Sequence, residues 1–161
     1  MTAEMPPDIF SWADALRRAH FPPERNRLKA HVTLFHALPP SVEDELIDLL
    51  IELAKAPPPE ARISGLMKLG KGTALDVESP GVVELHGVIQ DRMDGLMTKQ
   101  DEQKLRLHIT IQNKVSPEEA KALQAALEPT LEHKQFRFYG FGLYYYVDGL
   151  WDHRKTFPFR G

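Results

Sequence analysis

Two histidine and threonine pairs, His31-Val-Thr33 and His108-Ile-Thr110, are the residues of this chain best suited to chemistry. Imidazoles titrate near neutrality, so one of a pair can take a proton from an attacking water while the other gives one to a departing oxygen. A hydroxyl two residues along a strand points the same way as its histidine, about 7 Å on, and can donate to an oxygen on which charge accumulates. In-line displacement at phosphorus needs this set, because nucleophile and leaving group occupy opposite apices of the reacting centre. Lys29 and Arg106 stand two residues before the histidines and add positive charge on the same faces. An anionic substrate follows, with phosphate the best fit.

Seven histidines and seven threonines in 161 residues give about 0.3 chance triplets of this kind, so one alone would mean little. Taken singly, either is best read as a half-buried histidine bonded to nearby backbone. The matching surroundings reverse that weighting. Leu105 to Gln112 alternates, with Arg106, His108, Thr110 and Gln112 on one face and Leu105, Leu107, Ile109 and Ile111 on the other. Lys29 to Phe35 repeats the pattern, with Lys29, His31 and Thr33 in front of Ala30, Val32 and Leu34.

The elements that must position these strands also come twice. Ile9 to Arg18 has helical spacing and is stopped by Pro22-Pro23; Ser41, with Asp44 three residues on, predicts a capped helix from about Val42 to Lys55. Ala61 to Leu69 and Thr73 to Glu78 read as a hairpin across Gly70-Lys-Gly72. In the second half, Pro80 to Met97 predicts a helix before the second motif, and Ser116-Pro-Glu-Glu119 starts another that reaches about Leu131. Gln135 to Tyr146 and Leu150 to Phe159 read as strands joined at Val147-Asp-Gly149. Each half is helix, motif strand, helix, hairpin. We therefore expect one bilobal domain over residues 1–161, from repeats of about 8–79 and 80–161. Its fold class is α+β: antiparallel sheets flanked by helices, related by a pseudo-twofold, with one motif strand per lobe lining a central cleft.

Composition narrows the function. There is no cysteine, which excludes disulfides, iron-sulfur clusters and thiolate zinc sites. A net charge of −3 argues against coating nucleic acid by bulk electrostatics, though a local basic cleft is compatible with it. No apolar run approaches membrane-spanning length, and the expectation is a soluble, cytoplasmic monomer. His36 falls on the opposite strand face from His31, and His20, His86, His133 and His153 lack metal-ligand spacing, so no metal site or cofactor is expected.

His31-Val-Thr-Leu34 and His108-Ile-Thr-Ile111, each on a strand followed by a helix, resemble the paired motifs of the two-histidine phosphoesterase superfamily, in particular its 2'-5' RNA ligase and RNA 2',3'-cyclic phosphodiesterase members. The resemblance implies a bilobal α+β fold and metal-independent hydrolysis of cyclic or 2'-5' phosphodiesters in RNA ends or small nucleotides. It implies a site of His31, Thr33, His108 and Thr110, with His31 as acid and His108 as base. Lys29 and Arg106 are the candidate anion contacts. Members commonly begin with an apolar strand, whereas Met1 to Pro7 is polar and Pro-rich, so the first element here reads as helical. Tyr144, Tyr145, Tyr146 and Trp151 can stack a base or form an ordinary apolar strand face; alternation separates Tyr145 from its neighbours, and Tyr145 is the candidate substrate contact. Three activities fit: a phosphodiesterase, a ligase running the reaction backwards, or a nucleotide- or RNA-binding module that keeps the cleft without turnover.

Overall fold

Strands with one apolar and one polar face must cover the apolar one, and this chain does so with two four-stranded antiparallel sheets backed by helices. The computed structural model describes residues 1–161. The strands are β1 (Thr2–Glu4), β2 (Val32–Thr33), β3 (Glu60–Lys68), β4 (Thr73–Glu78), β5 (His108–Gln112), β6 (Gln135–Arg137), β7 (Gly140–Val147) and β8 (Leu150–Pro158). The helices are α1 (Pro7–His20), α2 (Glu43–Leu53), α3 (Pro80–Arg92), α4 (Lys99–Glu102) and α5 (Pro117–Leu127). None is long and apolar enough to cross a membrane.

The sheets run β2-β1-β7-β8 and β5-β4-β3-β6, so each motif strand lies at a sheet edge. The edges meet, β2 packing against β5. The hairpin that follows the first motif in sequence, β3–β4, pairs with β5 of the second. Conversely, β7–β8 joins β2 through β1. The spatial lobes thus exchange hairpins and do not coincide with 8–79 and 80–161. An open strand edge pairs with whichever edge packing brings beside it, and chain order does not dictate that choice. A single core of 28 buried residues, including Leu50, Ile63, Ile109 and Phe141, spans both sheets, so neither lobe has a core of its own.

Several local expectations are corrected. The N-terminus does form a strand: β1 is central, held by β2 on one side and β7 on the other, with Ala3 buried. Ser41 does not cap α2; Pro40–Val42 form a 3-10 turn, and Val42 occupies the cap position without a side-chain bond. Ser116 does cap α5, accepting from Glu119 N at 3.1 Å, and Ser79 caps α3. The predicted strand 135–146 is two strands in different sheets, broken at Phe138 and Tyr139. Asp148 and Gly149 both have positive φ, 52° and 79°, as a two-residue hairpin turn requires.

Candidate active site

Alternation places the motif side chains as the sequence requires. Ala30, Val32 and Leu34 are buried behind His31 and Thr33, and Leu107, Ile109 and Ile111 behind His108 and Thr110; the four motif side chains are half-buried. In the first sheet Thr33 is paired with Thr2, and Glu4 lies one position past the Ala3–Val32 pair, alongside His31. In the second, His108 is paired with Asp76 and Thr110 with Ala74.

Both imidazoles are locked by the same bond. Nδ1 of His31 donates to the carbonyl of Lys29 at 2.6 Å, and Nδ1 of His108 to that of Arg106 at 2.7 Å. A carbonyl only accepts, so Nδ1 carries the proton in each ring and Nε2 keeps the exchangeable position. Each ring can therefore act only through Nε2, the nitrogen away from its own strand.

Their surroundings differ. Burial pushes the pKa of His31 down to about 4, against the support of the Lys29 carbonyl, and the charges of Arg17, His108 and the Met1 amine lower it further. The contact of β2 with β5 brings the two motifs to one seam. Trp151 covers His31, ring centres 4.5 Å apart and planes at 58°. Tyr144 packs on Trp151 at 5.5 Å and on His153 at 5.3 Å.

A cavity of about 570 Å³ opens at His31, lined also by Lys29, Glu4, Phe10, Tyr144 and Trp151. It is the size of a small-ligand pocket. A hollow of about 610 Å³ at the far edge of the second sheet contains Arg62 and Arg137, but Glu78 and Glu60 already pair them. No group of His, Asp and Glu side chains is arranged to hold a metal ion.

Not every candidate from the sequence is gathered here. Lys29 reaches the cavity. Arg106 is exposed, lies outside the cavity at His31 and borders a separate hollow beside Asp76, Glu78 and Glu84; its carbonyl holds the His108 ring. Tyr145 is on the other face of β7, where its hydroxyl donates to Glu43 and Arg154 donates to it. Tyr144, packed on Trp151, is the tyrosine that lines the cavity at His31. The signal was in the sequence: Phe141 and Leu143 alternate with Gly140 and Gly142, which marks odd positions as core. Sequence reasoning also missed Arg17, which is 4% exposed and donates from Nε to Asn26 Oδ1 at 2.8 Å. His36 is bonded to Asp101 at 3.0 Å, and His86 stacks on Phe35 at 4.5 Å, so both are structural.

Two antiparallel sheets that meet at edge strands, with His31 immediately before β2, Thr33 on it, and His108 and Thr110 on β5, have the fold of a two-histidine phosphoesterase. The family model of the 2'-5' RNA ligase superfamily matches residues 5–150. The chain belongs to that superfamily. Among solved structures it is similar to TT0787 of Thermus thermophilus, with 15% identity, a TM-score of 0.69, and 99% of this chain and 96% of that chain covered; at this identity the likeness concerns the fold. A comparison with curated proteins finds no match.

Proposed function

We propose that the protein is a metal-independent phosphodiesterase that opens 2',3'-cyclic phosphates or cleaves 2'-5' phosphodiester bonds at RNA ends or in small nucleotides. The observation that carries this reading is the identical Nδ1 lock on two histidines at facing sheet edges, His31 just before β2 and His108 on β5, in a chain of the 2'-5' RNA ligase superfamily. A water attacks phosphorus in line with the bond to the ribose oxygen. One Nε2 takes its proton, the other Nε2–H protonates the departing oxygen, and the product is a phosphomonoester beside a free hydroxyl. Thr33 and Thr110 donate to the non-bridging oxygens, and Lys29 and Arg17 supply positive charge. Each proton transfer contributes roughly 10²- to 10⁴-fold.

The acid role that the resemblance gives His31 requires a proton that burial of the ring disfavours. A phosphodiester anion between the imidazoles opposes that burial penalty with a negative charge, so substrate binding raises the pKa of His31 and favours its protonation.

Incubation with 2',3'-cyclic nucleotides in EDTA, followed by phosphorus NMR, tests the reading. Conversion to a phosphomonoester supports it. Joining of cyclic-phosphate and 5'-hydroxyl ends without hydrolysis assigns the ligase direction, and binding without turnover assigns a nucleotide-binding module.

A further inference from the structure

A carboxylate stands where an anionic substrate makes it least expected. Glu4 lies alongside His31 and lines the same cavity. The fold is built to hold it there. The hydroxyl of Tyr144 donates to Glu4 Oε1 at 2.6 Å and that of Thr2 to the same oxygen at 2.8 Å. Beneath it, Gly142 leaves the space that the carboxylate fills: a Cβ there would overlap Glu4 Oε1 and press on Thr2 Oγ1, so the carboxylate would have to move. This position of β7 is thus shaped around the carboxylate. Both hydroxyl donors fall on Oε1, which leaves Oε2 to accept from whatever fills the cavity. Trp151 and Tyr144 give that cavity flat walls. A phosphate has no use for these features, whereas a nucleobase uses all of them.

We propose that the cavity beside His31 is a guanine subsite, in which the base packs against Trp151 and Tyr144 and its Watson–Crick edge donates to Glu4. The inference rests on the reading of a nucleotide substrate given above. Glu4 is half-buried; a carboxylate can only accept, and covering it with a base that offers no donor is costly. Guanine presents two adjacent N–H donors, at N1 and N2. Adenine and cytosine place a ring acceptor next to their amino group, which the carboxylate repels, and uracil offers one N–H between two carbonyls. A well-placed edge contact of this kind gives about tenfold discrimination or more.

The test is kcat/KM for the four 2',3'-cyclic nucleoside monophosphates, measured with the wild type and with Glu4→Gln. The wild type is expected to prefer the guanosine substrate over the adenosine one by at least about tenfold. In Glu4→Gln the amide keeps an oxygen for Tyr144 and Thr2 but turns the free acceptor into a donor, so the preference is expected to fall to parity or below. Equal wild-type rates on the two purines, or a guanosine preference that survives Glu4→Gln, overturns the subsite. Should none of the four be hydrolysed, the proposed reaction fails by itself. The subsite is then read by calorimetry with guanosine and adenosine 2'-monophosphates: tighter guanosine binding that Glu4→Gln abolishes supports it, and equal affinities overturn it.

Discussion

Arg17 donates from Nη1 to the carbonyl oxygen of Thr110 at 3.0 Å, which ties α1 to the strand that carries the second motif. Its guanidinium also lies 4.2 Å from the ring centre of Phe21, so a fixed, almost fully buried positive charge stands behind the histidines. Arg17→Met removes the charge and keeps much of the stem's volume. The pKa of His31 is expected to rise modestly from about 4, burial being the larger cause of its depression, and affinity for inorganic phosphate to fall. An NMR titration of the His31 ring protons reads the first effect, and an unmoved pKa would remove Arg17 from the site's electrostatics.

The low pKa of His31 has a stability consequence of definite sign. The unfolded chain takes up this proton near pH 6.5, whereas the folded protein resists it until about 4. The penalty is absent above pH 6.5, grows as pH falls through that window, and is fully destabilising below it. Urea melts from pH 7 to 4 are expected to show a loss of stability that is smaller in His31→Gln. The same linkage predicts that binding of a nucleoside 2'-monophosphate at pH 6 takes up protons, measured by calorimetry in buffers of different ionisation enthalpy. Binding with no uptake would contradict the acid role of His31.

Gly142→Ala forces a methyl group into the Glu4 carboxylate. The atoms it meets are the ends of side chains that can swing aside, so the cost is that of disturbing the bonds from Tyr144 and Thr2 to Glu4, about 1–3 kcal/mol. Glu4→Ala removes the same bonds, so the double variant is expected to lose less than the sum of the single losses. Simple additivity of the two melting shifts would show that the two positions do not share space.

Asp101, 4% exposed on α4, accepts from His36 N at 2.8 Å and from Ala37 N at 3.0 Å, and so fixes the chain just beyond Thr33. Burial pushes its pKa up, but the bonds from Ala37 and His36 outweigh that and hold it below the ordinary carboxylate range. Asp101→Ala removes both bonds. His36 and Ala37 are exposed, so water takes over their amides and the loss is the net worth of two bonds to a charged acceptor, about 1.5–3 kcal/mol each at most. Hydrogen exchange at His36 and Ala37 is expected to quicken and turnover to fall. Unchanged exchange at both amides would mean that the clamp does not hold this loop.

The two motif strands were legible in the sequence because a period of two is a local property, and Ile109 and Val32 could only face inward. What is not local was lost. Thr2–Glu4 is too short for any period, and its strand exists because β2 and β7 hold it from both sides. The exchange of hairpins depends on which sheet edges packing brings together. Arg17 looks like its neighbour Arg18 until α1 is seen packed on β5. Tyr145 and Tyr144 were distinguishable from the Phe141 and Leu143 alternation, and the error there was in choosing the face.

The central claim, that His31 and His108 act on one phosphorus, is tested most directly by kcat/KM on a 2',3'-cyclic nucleotide in EDTA for His31→Ala, His108→Ala and the double variant. Each single change is expected to cost about 10²- to 10⁴-fold, and the double variant far less than the product of the two, because groups that act as a unit are not additive. A single variant that keeps its rate, or losses that multiply in full, would contradict the paired mechanism.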